Sequence, residues 1–242
     1  MKPKILIATS SFGELEPSLI QNLNKEFECV FNTTGRKLKT QELMSLLTDV
    51  SGVIAGTETY SSQVLESAKN LKVISRVGVG VDNVDLDFCS KHDVEVIATK
   101  TDLSFSVAEL VISLSLSFLR NIPHHFRDMQ NQNWERIMGE TINGKTIGVV
   151  GLGKIGKRLV ELASGFNLTV LAYDPYQDEE FAKKYSVKYC AMEELLKYSD
   201  IISIHASSGA MNHPIISEVE LKLMKSTALL INTSRGANVD EN

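Results

Sequence analysis

The 242-residue chain carries 25 lysine and arginine residues against 30 aspartate and glutamate residues, and 43% of its residues are hydrophobic. Because the net charge is only −5 and no long run of one sign occurs, the composition argues against a nucleic-acid or anionic-membrane surface and favours a small-molecule ligand. The longest apolar run, 107–119, is shorter than the roughly 20 residues of a membrane span. Cys29, Cys89 and Cys190 lack metal-binding spacing, so we expect no metal site, and their odd number fits a reducing, cytoplasmic compartment.

Short β-branched segments alternate with amphipathic helical patterns through the first hundred residues. Such alternation implies parallel strands joined by helical crossovers, which is an α/β fold. We therefore predict that residues 1–101 form a substrate-binding domain with a small, doubly wound, flavodoxin-like sheet. Its predicted strands are Lys4–Ala8, Glu28–Phe31, Gly52–Ala55, Val73–Arg76 and Val94–Ala98.

Residues 102–242 are predicted to form a second doubly wound parallel-sheet domain, of the Rossmann type. Ser106 and Glu109 have the spacing of a capping box, which predicts that a long apolar helix begins near Ser106. A looser stretch, 123–141, is expected to lead into the next strands and helices. The predicted strands are Thr146–Val150, Thr169–Tyr173, Ile201–Ile204 and Ala228–Ile231.

A glycine motif, Gly151-Leu152-Gly153-Lys154-Ile155-Gly156, directly follows the strand predicted at 146–150 and precedes a predicted helix. Gly151 permits the tight turn, Gly153 lets a pyrophosphate approach the backbone, and Gly156 lets helix and strand pack closely. The free amides at the helix start would bind phosphates, helped by the helix dipole. Since this glycine pattern is weak by itself, the prediction of a dinucleotide site also depends on the strand, the helix and an acidic residue downstream.

That acidic residue is Asp174, which ends the next predicted strand, 18 residues after Gly156. A carboxylate there can accept hydrogen bonds from the adenosine ribose hydroxyls and would repel a 2′-phosphate. Residues 175–180 supply no lysine or arginine to pair with such a phosphate. The sequence therefore predicts NAD rather than NADP, with a carboxylate in a surface turn as the alternative interpretation of Asp174.

Two arginines lie at predicted strand exits, where open parallel sheets bind ligands. Arg235 offers a planar guanidinium that matches a carboxylate, although a surface ion pair is an equally ordinary role for such an arginine. Arg76 precedes Gly78 and Gly80, and closely spaced glycines can expose backbone amides to an anion. An ordinary turn fits that second pattern equally well.

Taken in order, these motifs resemble those of the D-isomer-specific 2-hydroxyacid dehydrogenase family, and within it those of the members that act on 3-phosphoglycerate. The resemblance implies an NAD-dependent oxidoreductase that transfers hydride between NAD and C2 of a small D-2-hydroxy or 2-keto acid. It also implies a homodimer formed through the cofactor domain. The matching segments are 75–85, 134–136, 143–146, 151–156, 232–236 and 239–241.

The resemblance further implies roles for individual residues. Arg235 would be the catalytic arginine that orients the substrate carboxylate and polarises the C2 oxygen, and Arg76 would bind a substrate phosphate. The expected ligands of the substrate carboxylate are the amides of Gly78, Val79 and Gly80. The expected cofactor contacts are Val79, Gly151, Gly153, Lys154, Ile155, Gly156, Asp174, Ala206, Thr233, Ser234 and Arg235.

Family members carry a glutamate and a histidine, the general acid–base pair, downstream of the arginine motif, and the sequence ends at Asn242 without them. Two hypotheses remain: a dehydrogenase that lacks its C-terminal part, or a truncated, catalytically inactive module that binds NAD or dimerises. His205 is expected to line the cofactor groove rather than to replace the missing histidine. The other histidines, expected on the solvated surface, are His92, His124, His125 and His213.

Overall fold

A computed structural model describes residues 2–206 and 213–241. The chain divides into two compact units, Met1–Asp102 and Leu103–Asn242. Each unit is built on one parallel five-stranded sheet with helical connections, which confirms the predicted α/β fold class. Each unit is described by itself below.

The first unit has the strand order β2-β1-β3-β4-β5, with every neighbouring pair parallel, which is the flavodoxin-like order expected from the sequence. The strands are β1 (Lys4–Ile7), β2 (Glu28–Phe31), β3 (Gly52–Ala55), β4 (Val73–Arg76) and β5 (Glu95–Ala98). The helices are α1 (Ser18–Glu26), α2 (Thr40–Leu47), α3 (Ser62–Leu65) and α4 (Leu86–Lys91). All five predicted strands are present to within one residue at either end.

In the second unit the strand order is β10-β9-β6-β7-β8, which is the Rossmann arrangement when the strands are counted from β6. The strands are β6 (Thr146–Val150), β7 (Thr169–Tyr173), β8 (Val187–Tyr189), β9 (Ile201–Ile204) and β10 (Leu229–Asn232). The helices are α5 (Ser104–Leu119), α6 (Ile122–Gln130), α7 (Lys154–Ala163), α8 (Glu179–Tyr185), α9 (Met192–Tyr198) and α10 (Glu218–Leu223).

Both faces of the second sheet are buried, as its uninterrupted apolar strands require. Side chains alternate between the faces of a strand, so Val149 and Val150 of β6 enter different clusters. Val149 packs in one cluster with Val111 of α5 and Leu159 of α7, whereas Val150 packs in another with Leu195 of α9. The carboxyl ends of the strands are thereby fixed between helices.

Three local expectations are corrected. Helix α5 begins at Ser104, so Ser106 and Glu109 do not form its cap; its buried stripe already includes Ser104 and Ala108, and packing rather than the capping pattern sets its start. Part of the stretch 123–141 is helical, as α6. The short strand β8 was not predicted.

Among the described helices, none taken singly is long and apolar enough to cross a membrane. Only taken together are α5 and α6 long and apolar enough for a span, and a bend of 65° separates the two helices.

Candidate active site

The glycine loop of the second unit leaves an open approach to the start of α7. Gly151 has φ +93°, and a Cβ there would lie 2.8 Å from the Ala206 amide nitrogen. A Cβ on Gly156 would collide with the carbonyl oxygen of Gly151. At Gly153, by contrast, a Cβ would meet no heavy atom of residues 2–206 and 213–241 within 4 Å. Gly151 and Gly156 are therefore required by the fold itself, whereas the side of Gly153 is open to a ligand.

This open space lies where a dinucleotide phosphate would be expected. The first amides of α7 have no acceptor within the helix, and the helix dipole favours an anion at that end. Exposed Lys154 and half-buried Ile155 form the first turn after Gly153, which caps the helix without a side chain. The residues present thus fit the pyrophosphate of a dinucleotide.

Asp174 lies beside the same loop, at the end of β7. One carboxylate oxygen accepts a hydrogen bond of 2.7 Å from the Leu152 amide, and the other accepts one of 2.8 Å from the Tyr176 amide. Asp174 therefore links the glycine loop to the turn after β7. Two predicted cofactor elements, separated by 18 residues in the sequence, are adjacent in the structure.

A lysine–aspartate pair that was not predicted from the sequence lies near this turn. Lys157 of α7 donates a hydrogen bond to Asp178, which caps α8 by accepting one from the Phe181 amide. The hydrogen bond from Lys157 holds the pKa of the Asp178 carboxyl below its ordinary value. The charge of Lys157 is consequently engaged by Asp178.

The opposite side of the glycine loop is formed by His205 and Ala206, which follow β9. His205 Nε2 makes a 2.9 Å hydrogen bond with the Ser203 hydroxyl, and its Nδ1 is buried without a partner among the described residues. Burial lowers the pKa of His205 to about 4, so the ring is neutral near pH 7. A neutral ring in contact with the strand agrees with a groove-lining role. The loop that continues from Ala206 lies outside the described residues at 207–212.

Acidification should destabilise the second unit through His205. Its pKa in the folded state, about 4, is below the unfolded value of about 6.5. The folded state therefore binds fewer protons between these values, and stability that is present above pH 6.5 is lost as the pH falls towards 4. Between pH 7 and pH 5 this loss is about 2 kcal/mol. Urea unfolding at the two pH values should show that the free energy of unfolding of the His205→Gln variant falls by about 2 kcal/mol less than that of the native chain. Equal falls in both proteins would contradict the lowered pKa of His205.

Residues 232–238 form a hydrogen-bonded turn after β10. Asn232 Oδ1 accepts hydrogen bonds from the Ser234 amide at 3.0 Å and from its hydroxyl at 2.6 Å. Buried Asn238 donates to the Ala206 carbonyl at 3.0 Å and to the Ser234 hydroxyl at 2.9 Å. Ala206 and Ser234, two predicted cofactor contacts, are thus tied together by Asn238, a residue that the sequence analysis did not single out.

The two other predicted residues of this turn differ in exposure. Arg235 is exposed, and one of its guanidinium nitrogens donates to the Ser234 carbonyl at 3.1 Å. Thr233 Oγ1 is buried and has no hydrogen-bond partner among the described residues. The second unit therefore carries the glycine loop, Asp174, Ala206 and the arginine turn at the carboxyl edge of one sheet.

In the first unit, Arg76 is held by an asparagine at the carboxyl end of β4. Arg76 Nε donates to Asn83 Oδ1 at 3.2 Å. The Asn83 amide group in turn donates to the carbonyl oxygens of Glu58 at 2.6 Å and Gly56 at 3.3 Å. The loop after β3 therefore holds the Asn83 side chain, which in turn holds Arg76. The sequence analysis did not assign that positioning role to Asn83.

The predicted anion-binding amides at residues 78–80 need one correction. The Gly78 amide donates to the Arg76 carbonyl and to the Thr99 hydroxyl, so it is already engaged. No acceptor exists among the described residues for the amides of Val79 and Gly80. Val79 is exposed and Gly80 is half-buried, and a carboxylate at this turn would therefore be bound by these two amides.

Residues 112–242 match the model of the NAD-binding domain of D-isomer-specific 2-hydroxyacid dehydrogenases. The chain belongs to the D-isomer-specific 2-hydroxyacid dehydrogenase family, as its motifs predict. The same match, to a domain defined by NAD binding, confirms NAD as the predicted cofactor.

Individual relatives differ in their substrates. The chain is 35% identical over 208 residues to D-3-phosphoglycerate dehydrogenase of Methanocaldococcus jannaschii, covering 84% of this chain but only 40% of the relative. It is 30% identical to glyoxylate reductase of Pyrococcus horikoshii, covering 100% of this chain and 74% of the relative. D-lactate dehydrogenase of Aquifex aeolicus, solved with NAD and lactic acid, shares 28% identity with a TM-score of 0.79, covering 98% and 70% of the two chains.

Proposed function

We propose that this protein is an NAD-dependent oxidoreductase that transfers hydride between NAD and C2 of a small D-2-hydroxy or 2-keto acid. The observation that carries the proposal is the open side of Gly153 at the start of α7, beside Asp174. Bound NAD supplies the hydride acceptor. Arg235 is assigned to the substrate carboxylate and the C2 oxygen, because a guanidinium binds a carboxylate in two-pronged fashion and stays charged at neutral pH.

NADH binding and turnover by the 242-residue chain test this proposal together. NADH fluorescence should report saturable binding, and absorbance of NADH should rise when NAD and D-3-phosphoglycerate, D-lactate or D-glycerate are supplied. A folded protein that fails to bind NADH would refute the proposal. Binding without turnover of any of these acids would favour the second candidate.

The second candidate is an NAD-binding module without catalytic activity. The observation that favours it is the state of His205, the histidine at the glycine loop. Its ring is neutral, is hydrogen-bonded to Ser203 and has a lowered pKa, so it is poorly suited to accept the proton of a substrate hydroxyl near pH 7.

A phosphorylated hydroxy acid, 3-phosphoglycerate, is proposed as the first substrate to test. Its support is the fixed position of Arg76, since a guanidinium that is already oriented loses less conformational entropy when it binds a phosphate. Asn83 provides that orientation through its 3.2 Å hydrogen bond.

Releasing Arg76 should weaken the binding of this substrate. In the Asn83→Ala variant we expect the Kd of 3-phosphoglycerate, measured by calorimetry, to rise about 5- to 10-fold, the cost of one hydrogen bond of about 1 to 1.5 kcal/mol. The Kd of NADH should stay unchanged, because Asn83 is not among the expected cofactor contacts. Unchanged affinity for 3-phosphoglycerate in both Asn83→Ala and Arg76→Ala would rule out this role for Arg76.

We also propose that the protein is a homodimer that associates through α5 and α6. These helices expose large apolar side chains, which are uncommon in such number on the surface of a monomer. The exposed residues are Phe105, Leu110, Leu114, Phe118, Ile122, Phe126 and Met129.

A charge placed on this surface should separate the subunits. We expect light scattering to give the mass of a dimer for the native chain and that of a monomer for Phe126→Glu, because burying an unpaired carboxylate in an apolar interface costs several kcal/mol. Leu15→Glu, at a fully exposed position of the first unit, is the control and should remain dimeric. A monomeric native chain would refute the proposal.

A further inference from the structure

Three potential metal ligands converge beside α6, among residues that have no part in the proposed cofactor and substrate sites. One ligand atom from each of His124, Asp128 and Glu135 lies within 4.8 Å of the other two. His124 and Asp128 are four residues apart on α6 and therefore project from the same face of the helix. Their Nε2 and Oδ2 atoms are 3.2 Å apart. Glu135 reaches the same point from the segment that follows the helix.

The carboxylate of Asp128, in the middle of this cluster, has one oxygen that receives no hydrogen bond from residues 2–206 and 213–241. The Asp128 side chain is only 16% exposed, and its Oδ2 atom is buried without a hydrogen-bond donor among the described residues. His124 Nε2 is close to this oxygen but is not aligned to donate a hydrogen bond. A buried carboxylate oxygen in this state is stabilised by a nearby cation.

We propose that His124, Asp128 and Glu135 bind a divalent transition-metal cation of the Zn²⁺ type. Zn²⁺ binds imidazole nitrogen and carboxylate oxygen at about 2.0 to 2.2 Å in a tetrahedron, which places its ligand atoms about 3.3 to 3.5 Å apart. The His124–Asp128 pair already has nearly this spacing, and exposed Glu135 can close the remaining gap by rotation. An imidazole ligand disfavours Mg²⁺ and Ca²⁺, which prefer oxygen ligands throughout.

Next to the three protein ligands there is space for a water molecule as the fourth metal ligand, and a tryptophan lies close enough to report metal binding. A cavity of about 460 Å³, lined partly by Asp128, Trp134 and Glu135, adjoins the cluster and can hold a metal-bound water. Trp134 is the only tryptophan of the chain and directly precedes Glu135. Its fluorescence should therefore respond to a metal ion at this site.

The proposed metal site and the proposed dimer surface lie on different faces of α6. Ile122, Phe126 and Met129 follow the i, i+4, i+7 spacing of one apolar stripe, and His124 and Asp128 lie about half a turn away from it. A bound cation would join α6 to the segment after it without occupying the apolar stripe. The metal site can therefore be tested independently of the oligomeric state and of NADH binding.

The test uses the full chain without a histidine tag, after treatment with a chelator. Titration with Zn²⁺, followed by calorimetry and by Trp134 fluorescence, should show one equivalent bound with a Kd of about 10 μM or tighter. His124→Ala and Glu135→Gln should each raise this Kd at least about tenfold, since even groups that only orient a ligand contribute 10- to 100-fold. His92→Ala removes a histidine at the end of α4 in the first unit, outside the cluster and its cavity, and should leave the Kd within about threefold.

If His124→Ala fails to fold, Glu135→Gln still tests the site, because Glu135 is exposed and glutamine has nearly the same shape as glutamate. Zn²⁺ should also raise the melting temperature of the native chain more than that of Glu135→Gln. Affinity weaker than about 1 mM, or equal affinity in the native chain and in Glu135→Gln, would overturn the proposal. Loss of binding in His92→Ala would also overturn the proposal, because His92 belongs to the first unit and is not one of the three residues named.

Discussion

Gly153→Ala is expected to weaken NADH binding about 10- to 100-fold while costing no more than about 1 kcal/mol of stability, since alanine is a poorer helix N-cap than glycine. Among the described residues, a Cβ at Gly153 meets no heavy atom within 4 Å, so the added methyl group causes no steric strain there. It would instead occupy the space through which a phosphate reaches the first amides of α7. Loss of one or two charge-assisted hydrogen bonds, at about 1.5 to 3 kcal/mol in total, corresponds to this range of affinity. NADH titration and urea unfolding measure the two effects separately.

Two other glycines of the second unit serve as matched controls. Gly165→Ala also introduces a methyl group that meets no described residue within 4 Å. It lies beyond the far end of α7, and both affinity and stability should be unchanged. Gly156→Ala places a methyl group against the Gly151 carbonyl oxygen and should cost about 1 to 3 kcal/mol of stability. If Gly153→Ala and Gly165→Ala bound NADH equally well, the open side of Gly153 would not be a phosphate site.

The parallel strands were predictable because each is a short β-branched run bounded by turn residues. Gly52–Ala55 and Val73–Arg76 have in the structure the bounds expected from the sequence. Helix α6 was missed although Ile122 and Phe126 carry its apolar period, because Pro123 and two histidines interrupt the pattern. Strand β8 has only three residues, too few for a period to be recognised.

The glycine loop was predictable for a different reason, since its requirements are local. A turn with positive φ and a close helix–strand approach demand glycine at fixed spacing. The contacts of Asn83 with Arg76, of Lys157 with Asp178 and of Asn238 with Ala206 join residues that are 7, 21 and 32 positions apart. The first pair depends on the path of the loop after β4 and the other two on the order of strands in the sheet, and no local pattern reveals them.

The Lys157–Asp178 pair sharpens the prediction of cofactor preference that was first made from Asp174 alone. A 2′-phosphate on the adenosine ribose would encounter the Asp174 carboxylate and would find the nearby Lys157 engaged by Asp178. The first effect is repulsion, and the second is that the charge of Lys157 is already engaged by Asp178. Preference for NAD over NADP then depends on two carboxylates, and removing both charges should reverse it.

The double variant Asp174→Asn/Asp178→Asn is expected to shift the ratio of the NADH and NADPH affinities towards NADPH by about 100-fold or more. Loss of the charged ribose contact should weaken NADH binding about tenfold, while released Lys157 can bind the 2′-phosphate by a charge-assisted hydrogen bond. At position 174, asparagine keeps an acceptor for the Leu152 amide but loses the one for the Tyr176 amide, and at position 178 it is an equally good cap for α8.

Fluorescence titration with both nucleotides measures this shift, and each single variant serves as a control for the double. Asp178→Asn alone should change the ratio by less than about tenfold, because the Asp174 charge still repels the phosphate. Asp174→Asn alone should weaken NADH binding without improving NADPH binding to the same extent, because Lys157 stays paired with Asp178. If the double variant bound NADPH no better than Asp174→Asn does, Lys157 would have no part in the preference, and repulsion by Asp174 alone would account for it.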